Sequence, residues 1–155
     1  MSDNTTGSIP QRPPPETAAL LAAGKRLRDG VPTASHGIWR EPANRADPVA
    51  TLRAGEPKRL PELVPIRYGR MLASPFAFYR GAAAAMAGDL ALAPASGVRV
   101  QACGVAHLLN FGGFATPERR LVFDINDLDE TLPAPFEWDV KRLTASVVIA
   151  GRYLA

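Results

Sequence analysis

The pattern of apolar and polar positions changes character three times along the chain. Before Ile66 there is no sustained period, and ten of the fifteen prolines lie there among basic residues and few large apolar ones. This composition predicts a loosely built arm, residues 1–62, with short helices. One helix is expected near Glu16 to Arg28. A turn or two more should follow Asp47-Pro48, where a capping side chain precedes proline at the first helical position. From Leu63 the apolar content rises. Ser74-Pro75 repeats the cap-plus-proline signature ahead of Phe76, Phe78, Tyr79, Ala83, Met86 and Leu90, whose spacing predicts one helix ending between Gly88 and Pro94.

After Gly97 the period becomes two. Val98, Val100 and Ala102 alternate with Arg99 and Gln101, which predicts a strand with one buried face, closed by Cys103-Gly104. A glycine-rich segment (GVAHLLNFGGFA), a Thr116-Pro117-Glu118-Arg119 turn and a second strand, Leu121 to Ile125, come next, then an acidic loop from Asn126 to Glu137. From Trp138 a helix is expected, apolar at Trp138, Leu143, Val147 and Leu154. Its pattern still runs at Ala155 with no cap, glycine or proline, which predicts a truncated chain, residues 63–155 being the N-terminal part of a longer domain. The fold class read from these elements is α+β, with a small antiparallel sheet carrying the loop and hairpin, packed on helices.

A chain of 155 residues, 46% hydrophobic and 21% charged, suits one globular domain and excludes disorder and collagen. A single cysteine excludes an internal disulfide framework and a CxxC zinc site. The formal charge of +3 is too small to argue for nucleic acid, so no nucleic-acid partner is expected. The start, MSDNTTGSIPQRPPP, lacks the apolar core of an export signal, and neither Val100 to Pro117 nor Leu143 to Gly151 is a bilayer span. A cytoplasmic chain with no membrane partner is therefore expected. The acids are uneven: Glu118, Asp124, Asp127, Asp129, Glu130, Glu137 and Asp139, seven of fifteen, fall within residues 118–139.

That clustering places an amide, Asn110, and several carboxylates at adjacent strand ends. Oxygen ligands of this kind suit Mg²⁺ or Mn²⁺ better than zinc, and the competing reading is a solvated acidic loop. There is no GxxxxGK[ST], and Gly104, Gly112 and Gly113 do not match GxGxxG. His107 has no second His or Cys near it in sequence and reads as a hydrogen-bonded loop residue, His36 as structural or exposed, and Cys103 as a small buried hydrophobe. Phe76, Phe78 and Tyr79 read as core. Arg67, Arg70 and Arg80 either face phosphates or form the wet face of a helix.

The runs RYGRMLASPFAFYRGAAAAMAGDLA and CGVAHLLNFGGFATPERRLVFDINDLDETLPAPFEWDVKRLTASVVIAGR, most of Arg67 to Arg152, closely resemble the bacterial domain-of-unknown-function family numbered 2252. This family is uncharacterised and its members are much longer. More distantly, the family's Gly-Asp-Ala-His-x-x-Asn loop is similar to the Gly-Asp-x-His-x-x-Asn catalytic loop of aminoglycoside phosphotransferases and other kinase-like small-molecule kinases. That resemblance implies part of a kinase-like large lobe, with Mg²⁺ and ATP as cofactors. It makes Asn110 and Asp127 the metal ligands, Asp139 the aspartate bracing the loop, and His107 a scaffold residue. The catalytic aspartate is replaced by Val105, and Leu128 and Ala134 stand where the family has phenylalanine and glycine. Loss of a positioned base removes roughly 10²- to 10⁴-fold in rate. The residues ahead of the loop also offer no nucleotide-covering lobe. The resemblance thus implies an inactive remnant of an ATP-dependent phosphotransferase, the alternative being a non-catalytic interaction or regulatory module. Self-association or a partner is expected through residues 138–155, where Trp138, Val140, Leu143, Val147, Val148, Ile149 and Leu154 surround much of the helix.

Overall fold

The structure is a computed structural model describing residues 14–154. The reading of the chain's first thirteen residues and the apolar role of the Leu154 side chain lie outside what it describes. It is α+β, with six α-helices and two small antiparallel ribbons among the described residues. Helix α1 spans Pro14–Asp29 and α2 spans Pro48–Ala54. The Asp47 carboxylate caps α2 by accepting from the Val49 and Ala50 amides at 3.1 and 3.2 Å, and Pro48 supplies a first-turn φ without needing a donor.

The second half of the arm is not loose. Leu52 of α2 is buried with Met71 and Ala82, and Tyr68 packs against them. Arg45 grips Asp89 through Nε and Nη2, both at 2.7 Å, a bidentate geometry that holds the arm to the domain more firmly than a single ion pair. Proline content signalled short elements here, and the docking comes from single residues that carry no period.

Helix α3, Val64–Met71, escaped the periodicity because it is two turns long with Pro65 in its first. The helix expected across Phe76 to Leu90 is two helices, α4 (Pro75–Gly81) and α5 (Ala83–Leu90), broken at Ala82 (φ −105°, ψ 31°). Ser74 Oγ caps α4 as expected, accepting from Ala77 N at 3.0 Å. The break has a side-chain cause: Arg67 of α3 donates Nη2 to the Gly81 carbonyl, the acceptor a continuous helix would have offered to its own next turn. Gly81 also lies so close to Met71 that any Cβ would displace that side chain.

The single small sheet expected from the sequence is two separate two-stranded ribbons. Strand β1 (Arg99–Ala102) pairs with β4 (Leu132–Pro135), and β2 (Phe111–Ala115) with β3 (Leu121–Ile125). Strand β4 lies inside the segment read as an acidic loop, its two prolines disguising it, and proline is tolerated because the ribbon leaves that strand an edge. The expected buried face of β1 reduces to Ala102. Val100 is 40% exposed, since nothing covers a two-stranded ribbon there.

Helix α6, Glu137–Leu154, closes the fold by packing on α4 and on the turn at Leu108–Asn110. It leaves Val140, Val147 and Val148 about half exposed on one stripe. The buried cluster around the 103–106 segment is made of small side chains: Ala83, Cys103, Val105 and Ala106, with Ile125 against them. No described helix is long and apolar enough to cross a membrane.

Candidate functional site

Residues 103–110 form an irregular loop between β1 and β2 whose backbone is fastened by side chains from α6. Asp139, in the first turn of α6, accepts from Cys103 N at 2.7 Å (Oδ2) and Gly104 N at 3.2 Å (Oδ1). Gly104 has φ +76°, and a Cβ there would collide with the Glu130 carbonyl oxygen, so glycine is required twice over. Further along, Ser146 Oγ accepts from Leu108 N at 2.9 Å while donating to Leu143 O.

Asn110 completes the fastening. Its Nδ2 donates to Asp127 O at 3.0 Å and Val105 O at 3.3 Å, and the Asn126 amide donates to the Asn110 carbonyl at 2.9 Å. The loop and the segment after β3 are thereby brought together, with Asn110 at 2% exposure and Asp127 at the surface. The Asp127 carboxylate makes a local turn, accepting from Asp129 N. Cys103 is buried beside this junction, and burial raises its thiol pKa.

Val105, His107 and Asp127 share one cleft of about 720 Å³. The same cleft is lined by Arg67 and Arg70 from α3, Arg80 from α4, and Lys58 and Arg59 from the turn ahead of them. The three arginines weighed from sequence converge here. Lys58 and Arg59 were missed because they sit in the arm, where no periodicity aims them. Arg59 meets Glu130 at 3.7 Å, while Arg67 lies over the Tyr68 ring at 5.7 Å.

His107 is buried at 5% exposure, edge-on to Phe76 with ring centroids 6.1 Å apart. Arg80 Nε donates to its Nε2 at 3.4 Å. Burial first, then Arg80 and Arg142, push its pKa down to about 4, so the ring is neutral near pH 7. Because Nε2 accepts, the ring proton resides on Nδ1, which is buried without a partner. Behind the loop, Arg142 is 2% exposed, its guanidinium 4.7 Å from the Tyr79 ring centroid and its pKa lowered by burial. Tyr79 Oη donates to the Arg142 carbonyl at 2.6 Å. Buried Arg142, Ser146 and Glu137 gave no sequence signal beyond polar letters in an apolar helix. Among the described residues no three His, Cys, Asp or Glu side chains converge to hold a metal by themselves.

These features define an α+β protein with a carboxylate-braced loop facing a cationic cleft. Residues 59–155, more than half of the chain, match the family described as "Uncharacterized protein conserved in bacteria (DUF2252)", and the chain belongs to it. No curated protein and no solved structure matches the chain.

Proposed function

We propose that this chain is a kinase-like phosphotransferase module that holds a magnesium nucleotide in the cleft and does not turn it over. The observation that supports this most is the double acceptance by Asp139 of the Cys103 and Gly104 amides. It supplies, from the first turn of the next helix, the brace that a Gly-x-x-His-x-x-Asn loop of the kinase-like kind calls for. His107 then serves as a scaffold inside the loop, and Asn110 pins it to the residue proposed to meet the metal.

The donor set fits a magnesium ion in a limited sense. The Asp127 residue lines the cleft, whereas Asn110, 2% exposed and with Nδ2 committed to carbonyls, is not among the residues that line it. One cleft-lining carboxylate suits an ion that takes most of its ligands from water and phosphate. When bound, the ion would offset charge on the phosphates. Catalysis stops at Val105, which stands in the cleft wall where an acceptor hydroxyl would need a base.

The test is equilibrium binding of ATP with and without Mg²⁺. Wild type should bind in a Mg²⁺-dependent way, Asp127→Ala should weaken that binding by at least about tenfold, and neither wild type nor Val105→Asp should transfer phosphate to small hydroxylated acceptors. Binding indifferent to both Mg²⁺ and Asp127 overturns the reading. The exposed stripe of Val140, Val147 and Val148 favours a second reading, a non-catalytic module that pairs with another copy of itself through α6. Sedimentation showing a monomer across the micromolar range would end it.

A further inference from the structure

The cleft is lined by five cations, Lys58, Arg59, Arg67, Arg70 and Arg80, and one carboxylate, Asp127. Like charges gathered around one concavity repel, and a protein keeps them there at a cost in stability that a bound counter-ion removes. The internal partners are too few. Arg59 has Glu130 at 3.7 Å, both side chains nearly half exposed, and Arg67 and Arg80 each spend one N–H, on Gly81 O and on His107 Nε2. Lys58 and Arg70 make no side-chain hydrogen bond or ion pair, so their charges are uncommitted. Arg67 and Arg70 stand three apart on α3 and so project from one face of it.

His107 also lines the cleft, with Nε2 turned to Arg80 and Nδ1 fully buried, so the ring occupies one Arg80 N–H and offers the cleft no charge of its own. Uncommitted cations around one concavity lack one thing, an oxyanion. The formal surplus is +4, or +3 once Glu130 is set against Arg59, which exceeds what a single phosphate neutralises.

We infer that the cleft binds a soluble oligophosphate, a small molecule with two or more linked phosphate groups, directly on Lys58, Arg70 and Arg80 and without a metal ion. The inference concerns the same cleft as the magnesium-nucleotide reading and stands without it, because neither a metal nor a base enters the argument. Asp127 separates the two by sign. Its carboxylate is needed if Mg²⁺ mediates binding, and it repels the ligand if the arginines bind phosphate directly.

The experiment is calorimetric titration of the full chain with inorganic tripolyphosphate in EDTA, with inorganic phosphate as the comparison probe. Tripolyphosphate should bind at least about tenfold more tightly than phosphate, and more weakly as salt rises. Arg70→Gln and Lys58→Gln should each weaken it by about five- to tenfold. Both side chains are exposed and neither makes a hydrogen bond or ion pair, so a thermal melt no lower than wild type verifies that the fold is intact. Arg120→Gln, in the turn ahead of β3 and outside the cleft, should leave binding unchanged, and Asp127→Asn should tighten it a few-fold. No binding in EDTA, or equal losses from Arg120→Gln and Arg70→Gln, overturns the inference. Absence of metal-free binding alongside Mg²⁺-dependent ATP binding sinks the inference and leaves the nucleotide reading standing. Metal-free binding that Asp127→Asn strengthens, with no Mg²⁺ effect on ATP, does the reverse.

Discussion

The loop at residues 103–110 and the β2–β3 hairpin that follows it invert the usual link between regularity and fixity. The hairpin has a full antiparallel ladder from Phe111↔Ile125 to Ala115↔Leu121, yet Leu121 is 83% and Phe123 76% exposed. Apart from one 3₁₀ turn, the loop has no regular pairing, yet Cys103, Val105, Ala106, His107 and Asn110 are all buried. Side chains account for the difference. Asp139, Ser146 and Asn110 give part of the loop the hydrogen-bond partners that a ladder gives a strand, so the Cys103, Gly104 and Leu108 amides are met by side chains. The candidate chemistry lies on the segment held by side chains.

The sharpest way to break this contrast is Gly104→Ala. An L-residue at φ +76° costs about 1–2 kcal/mol before sterics, and here the new Cβ meets a backbone carbonyl, which cannot rotate away. A total loss of about 4 kcal/mol is expected in urea unfolding. Gly113→Ala, in the hairpin with only ordinary contacts around it, should cost well under 1 kcal/mol by the same assay. Next in size is Asp139→Ala, which strands two backbone donors of the loop and should cost about 3 kcal/mol. Asp139→Asn, able to serve one of the two, should recover part of it.

Acid titration probes the loop by another route. The His107 imidazole has a folded-state pKa near 4 against its ordinary 6.5, so between those values the unfolded chain binds more protons than the folded one. Its contribution is complete above about pH 6.5 and is lost as pH falls toward 4, by about 3 kcal/mol in all. His107→Gln keeps an acceptor for Arg80 and removes the titration. The wild-type-minus-variant difference in unfolding free energy should therefore slope across this window, and a flat difference would mean the ring is solvated.

How much of this was legible in the letters follows from what each element depends on. Caps at Asp47 and Ser74 were readable because one oxygen and one proline define them locally. The resemblance singled out Asn110 as a metal ligand and Asp139 as a brace; in the structure Asn110 Nδ2 fastens the loop to the Asp127 carbonyl and Asp139 accepts from two loop amides, contacts that no local pattern encodes. The break at Ala82 was not readable, because it depends on Arg67 reaching a carbonyl fourteen residues away. Strand β4 was hidden by prolines that only an edge position permits. Lys58 and Arg59 joined the cleft through the packing of α2 and α3, a long-range outcome with no local pattern.

The smallest expected effect sharpens the comparison from the hairpin side. Phe123 stands opposite Gly113 and Leu121 opposite Ala115, so neither meets a large cross-strand neighbour. Threonine brings the β-branched shape a strand prefers and removes apolar area that is already in water. Phe123→Thr and Leu121→Thr should each change stability by no more than about 0.5 kcal/mol, read as a shift of the urea midpoint at constant slope. Solubility should improve with the loss of exposed aromatic and aliphatic surface. A loss above about 1 kcal/mol that grows with protein concentration would show a second chain covering this face in solution. The hairpin would then be as buried as the loop, and the contrast between the two segments would belong to the isolated chain alone.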